Sequence, residues 1–222
     1  MVRIGVRKAE LSEVTADLLS VGVHSGEAVP ETVHAAAEPA LTGGDFSGKA
    51  GQTALLYPGD TLTASRLLLI GLGDRSSFTL EKLRRTAATA ARRARSLGSN
   101  EAAFLLPDAG GVEGSAMAAA EGAALGLYRF TRYKTGSTGT SEANAGDERD
   151  LRGFDLILDE ADDEGAASLG ADIGTKASAA SMLARDLANE PSNTATPQYL
   201  AERAREISER YGMQSTVLDR AS

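Results

Sequence analysis

The spacing of apolar and polar residues divides the chain into alternating strands and helices. Residues 2–7 alternate as a short first strand, and 17–23 (DLLSVGV) are apolar enough for a buried one, closed by Gly22 and Gly26. Pro30 followed by 31–37 predicts a short helix with proline in its first turn. A polar, glycine-rich loop over 41–52 then leads to a strand at 53–57 and a turn at Pro58, Gly59 and Asp60. Residues 67–72 form a continuous aliphatic run ended by Gly71 and Gly73, the mark of a strand buried on both faces.

Thr79 predicts the N-cap of a helix running to Ser96. Leu80, Leu83, Ala87, Ala90, Ala91 and Ala94 recur at helical spacing there, with Arg84, Arg85, Arg92, Arg93 and Arg95 on the other faces. A strand at 102–106 and an alanine-rich helix at 112–128 follow, the small residues implying close packing against a neighbour. Residues 135–152 lack periodicity and predict a long exposed loop. Beyond it come a strand at 154–158, a long helix from about 162 to 189, a helix at 198–211 capped by Thr196 with Pro197 at its first position, and a strand at 214–218. Strand–helix–strand order predicts βαβ crossovers, hence an α/β fold with a mostly parallel or mixed sheet and helices on both faces.

Composition narrows the chemistry. At 222 residues the chain holds one full domain and a remainder, and its 42% apolar and 24% charged residues are ordinary for a globular protein. There is no Cys, which removes disulfides, thiolate catalysis and thiolate-bound zinc. No apolar run approaches the roughly 20 residues needed to cross a bilayer. The first residues show no signal-peptide pattern, so a cytoplasmic location is the expectation. A net charge of −8 disfavours a polyanionic partner, so nucleic acid is not expected.

The residues offer no catalytic constellation. His24 and His34 lack a carboxylate at ligand spacing and read as ordinary structural or surface histidines. The acidic run Asp159, Glu160, Asp162, Asp163 and Glu164 lacks the ligand alternation of a calcium loop, and reads as a helix-capping segment. Ser47-Gly48-Lys49-Ala50 superficially resembles a phosphate loop, but Ala50 stands where Ser or Thr should follow lysine. Gly71-Leu72-Gly73 is half a dinucleotide fingerprint, with Ser76 at the third glycine. Both read as turn geometry. The arginine stripe at 84–95 reads as a solvated helix face rather than a nucleic-acid surface.

Residues 182–204, MLARDLANEPSNTATPQYLAERA, change this picture. They resemble the junction segment of the leucyl (cytosol) aminopeptidase family, in which a helix ends in R-D-L-x-N-E-P-x-N before T-P and a further helix. The matching residues are Arg185, Asp186, Leu187, Asn189, Glu190, Pro191, Asn193, Thr196 and Pro197. Residues 68–73, 80–85 and 121–135 also resemble that family's N-terminal domain. The resemblance implies a macro-domain-like, three-layer α/β/α sandwich over 1–160 that is non-catalytic. A connecting helix over 161–190 and the start of a truncated catalytic domain over 191–222 would follow.

The resemblance also implies two divalent metals, Mn or Zn, in the absent catalytic part. The family's metal-binding stretches, V-G-K-G-x-x-F-D-S-G-G and N-T-D-A-E-G-R, do not occur in these residues, so no catalytic residue and no metal ligand is assigned here. The expected partners are further copies of the chain or the catalytic domain, with peptides reached only through that domain. A module binding ADP-ribose or a related nucleotide through 41–52 and 71–78, or a DNA-binding accessory domain, are the alternatives. The helix at 198–211 is expected to be disordered, to pack back, or to drive self-association through Leu200, Ala204, Ile207 and Tyr211.

Overall fold

A computed structural model describes residues 1–133 and 150–218. All but the end of the loop expected over 135–152 lies outside the described residues. Six strands form one sheet: β1 (Arg3–Lys8), β2 (Leu18–His24), β3 (Thr53–Leu56), β4 (Leu67–Gly73), β5 (Glu101–Leu105) and β6 (Gly153–Leu158), in the order β1-β6-β5-β2-β4-β3. Only β3 runs antiparallel, against β4; every other pair is parallel. The helices are α1 (Glu31–Thr42), α2 (Leu80–Ser96), α3 (Val112–Leu127), α4 (Glu164–Asn189) and α5 (Pro197–Tyr211).

Two cores lie on opposite faces of this sheet, which makes three layers. On one face Leu19, Val21, Leu67 and Leu69 meet Val33, Ala37 and Ala40 of α1. On the other, Leu18, Leu68 and Ile70 meet Leu83 and the alanines of α2 and α3, with Ala167 and Ala171 of α4. Every residue of β4 is buried, as the continuous aliphatic run predicts. Phe104 and Phe154, both fully buried, stack with ring centroids 5.9 Å apart where β5 and β6 run side by side.

The alanine-rich helices approach closely because they carry almost no side chain at the contact. A Cβ at Gly122 would collide with the Arg84 carbonyl, and one at Gly126 would lie 2.9 Å from Ala88. Gly170 and Gly174 of α4 face the carbonyls of Glu113 and Met117 in the same way. Thr79 caps α2 as expected, its hydroxyl accepting from the Lys82 amide.

Several boundaries differ from expectation. The α1 helix runs through Pro39 to Thr42, and Pro30 is its N-cap rather than part of its first turn. Gly22 lies inside β2, where a side chain would press on Leu72, and both Gly71 and Gly73 belong to β4. Gly73 has φ of +73°, beside a register shift between Val23 and His24. No strand forms over 214–218, where residues 213–218 run irregularly. A strand needs a neighbour for its amides and carbonyls, and the described residues of that part of the chain contain no other strand.

The described residues divide into two compact units, one ending at Ala180 and one beginning at Ser181, so the boundary falls within α4.

Candidate functional site

In an open α/β sheet, ligands lodge beyond the carboxyl ends of the strands, where successive connections leave for opposite faces. Here the connection after β2 leads to α1 on one face, while those after β4 and β5 lead to α2 and α3 on the other. The segments that follow β2 and β4, starting at Ser25 and Asp74, therefore flank the switch point. The glycine-rich loop over 41–52 joins them, because the Gly73 amide donates to the Gly48 carbonyl at 2.9 Å and the Ser25 hydroxyl to the same oxygen at 3.0 Å.

The floor of this crevice is closed. His24, buried at the end of β2, donates from Nδ1 to the Gly73 carbonyl at 3.0 Å and meets Phe78 edge-on at 5.0 Å between centroids. His34 is exposed on α1, so the two histidines serve separate structural and surface positions. Across the mouth, Arg75 donates to both oxygens of Glu27 at 2.7 and 2.6 Å. That hydrogen bond holds the Glu27 carboxyl below its ordinary range and raises the Arg75 guanidinium.

Beyond β5, Asp108 accepts from the amides of Gly111 at 2.7 Å and Gly110 at 3.0 Å, which lower its pKa from the ordinary carboxylate value. The entry to α3 is thus occupied by the chain's own carboxylate.

A cavity of about 350 Å³ lies between Asp108, Asp159, Asp162 and Asp163. Two further acids are engaged with backbone, as Asp108 is: Asp163 caps α4 by accepting from Gly165 at 2.9 Å and Ala166 at 3.1 Å, and Asp162 accepts from the Asp159 amide. This start is why α4 begins at Glu164 rather than at 162. Among the described residues, no group of three or more His, Cys, Asp or Glu is placed to hold a metal ion.

A larger cavity of about 560 Å³ opens between the 41–52 loop and the start of α2, with Ser25, Ser47, Lys49, Asp74, Ser77 and Lys82 on its walls. The sequence offers this loop as a phosphate cradle of backbone amides and, together with 71–78, as a nucleotide-binding stretch. Three of those amides are committed internally: Ser47 to the Gln52 side chain, Gly51 to Gly71 and Gln52 to Lys49. The convergence of Lys49 and Lys82 on one cavity is not legible in the sequence, because the two lie in separate elements and meet only through tertiary structure.

The arginine stripe is largely engaged. Arg84 bridges Glu81 and Glu121, Arg85 pairs with Glu81, and Arg95 donates to the Leu127 carbonyl at the end of α3.

The junction residues form a helix–turn–helix connection. Arg185, Asp186 and Asn189 lie on the last turns of α4, and Glu190, before Pro191, ends it. The Pro191 carbonyl accepts from Thr194 at 2.8 Å and Ala195 at 2.9 Å, turning the chain through Asn193. Thr196 then caps α5 by accepting from the Tyr199 amide, with Pro197 in the first turn. Glu190 is buried, whereas Leu200 and Tyr211 of α5 are exposed.

Comparison with known proteins places this architecture. Residues 10–137 match the family model of the cytosol aminopeptidase family, N-terminal domain. A probable cytosol aminopeptidase of Roseiflexus castenholzii is 39% identical over 98% of this chain and 43% of its own length. Another, of Geotalea uraniireducens, is 37% identical over 79% of this chain and 34% of its own.

Among solved structures, the bottromycin maturation enzyme BotP in complex with Mn matches with a TM-score of 0.67 at 27% identity, over 89% of this chain and 37% of its own. A mutant of tomato leucine aminopeptidase matches with a TM-score of 0.73 at 24% identity, over 96% of this chain and 43% of its own, and shows the shared fold. The chain spans less than half the length of these curated relatives. The chain belongs to the cytosol aminopeptidase family, with residues 10–137 as its N-terminal domain.

Proposed function

We propose that these residues are the non-catalytic N-terminal portion of a cytosol aminopeptidase, serving assembly and access to an active site formed by other residues of the whole protein. One observation carries this reading. A relative matches 98% of this chain, while the chain accounts for only 43% of that relative. The reading gives the whole protein a metal-dependent removal of N-terminal residues from peptides. Two divalent metals would supply a polarising charge and a metal-activated water there.

The residues described here do not fit such a centre, since a two-metal site needs carboxylates converging from several elements and none of the described groups qualifies. The proposal therefore assigns the metals to the other half. No described helix is long and apolar enough to cross a membrane. A cytoplasmic setting is part of the proposal, supported by the names of the relatives.

The assembly role is tested by sedimentation equilibrium of the purified chain. A mass that is a multiple of 23.0 kDa supports it, and a monomer at all concentrations contradicts it.

A further inference from the structure

We infer that the outer edge of β3 pairs with the same edge of a second copy of this chain about a two-fold axis, joining two six-stranded sheets into one. This contact gives the assembly role proposed above a surface, and it rests on that reading.

The ladder decides which backbone groups of β3 face outward. The Gly71 amide donates to the Gln52 carbonyl at 2.8 Å, so Gln52 turns its backbone toward β4. Ala54 lies opposite Leu69 and Leu56 opposite Leu67, so by alternation these two also face β4, while Thr53, Leu55 and Tyr57 face away from it. β3 is the last strand of the sheet, and among the described residues none bonds to the amide or carbonyl of these three.

Such a row of unpaired groups is a template for another strand unless the sequence blocks it. The two edges of the sheet differ in this respect. β1 carries Arg3, Arg7 and Lys8, so pairing β1 with its own copy would set cation against cation. Residues 52–57 carry no charge, and copies with a net charge of −8 can meet there without opposing like charges across the strands. A two-fold axis also runs β3 antiparallel to itself and closes the pair as a dimer, whereas β3 laid on β1 of the next copy would leave an open-ended chain of subunits.

Centring the axis on Leu55 sets Leu55 against its own copy and Thr53 opposite Tyr57 of the second copy, each pair exchanging both backbone hydrogen bonds. Thr53, Leu55 and Tyr57 share one face of the sheet, the face on which Leu55 packs against the core beneath α2 and α3. Tyr57, 74% exposed in a single copy, would lie beside the β-branched Thr53 of the other, a favourable cross-strand pair. The contact is short, so it makes a weak dimer.

Sedimentation equilibrium of the purified chain up to about 1 mM, with amide hydrogen exchange over the same range, tests this pairing. A dimer is expected, with exchange at Thr53, Leu55 and Tyr57 slowing as the concentration rises. Thr53→Lys places a charge at an exposed edge position, and Thr53→Pro removes an amide hydrogen that the fold leaves unused. Each should weaken the dimer at least about tenfold. A monomer at every concentration, or exchange at the three amides that ignores concentration, would overturn the inference. An oligomer that survives both substitutions unchanged would also overturn it while leaving the assembly reading intact; the monomer removes both.

Discussion

At Gly122 the backbones of α2 and α3 come so close that a Cβ would run into the Arg84 carbonyl. The obstacle is backbone, not a flexible side chain, so relief requires the helices to part. Gly122→Leu should cost at least about 1–3 kcal/mol through overpacking, read as a lower denaturant midpoint. An unchanged midpoint would contradict the packing described here. Asp108 illustrates an electrostatic effect at the same scale. Its carboxyl is held below the ordinary value near 3.9 by the amides of Gly111 and Gly110, so the stability it contributes is full above that ordinary value. It is lost as the pH falls through the lowered folded value. The stability gap between the protein and Asp108→Asn should therefore be largest near neutral pH and shrink in acid; a gap independent of pH would show that the charge contributes nothing.

At the scale of elements, the α2 helix depends on its cap as well as its buried face. Removing the Thr79 hydroxyl frees the Lys82 amide, and Thr79→Ala should lower global stability by about 1 kcal/mol in urea unfolding. Thr196→Ala breaks the same kind of bond in α5, but that helix buries little. Its effect on the unfolding of the sheet unit should stay within about 0.5 kcal/mol. Equal losses from both substitutions would mean that the two units unfold as one.

This contrast also explains what the sequence made legible. Elements that bury a continuous run, such as β4, or a regular stripe, such as α2, carry their own signal in the spacing. The expected strand over 214–218 carries the β-branched Thr216 and Val217 but has no neighbour to pair with, and pairing is not written in local sequence. The cavity holding Lys49 and Lys82 was hidden for a related reason: the two are more than thirty positions apart and are brought together where the 41–52 loop bonds to Gly71 and Gly73 of β4.

For the molecule as a whole, the family signal lies in places with different physical roles. The matched domain is a three-layer sandwich with an apolar core on each face of its sheet. The junction from Arg185 to Pro197 ends one helix and starts another. In the proposed account, peptide cleavage belongs to the half of the relatives that this chain does not span. The most direct test is hydrolysis of leucine p-nitroanilide by the purified 222-residue chain, with Mn²⁺ or Zn²⁺ supplied in excess. The account predicts no turnover above the metal-only control; metal-dependent release of p-nitroaniline that a chelator abolishes would contradict it.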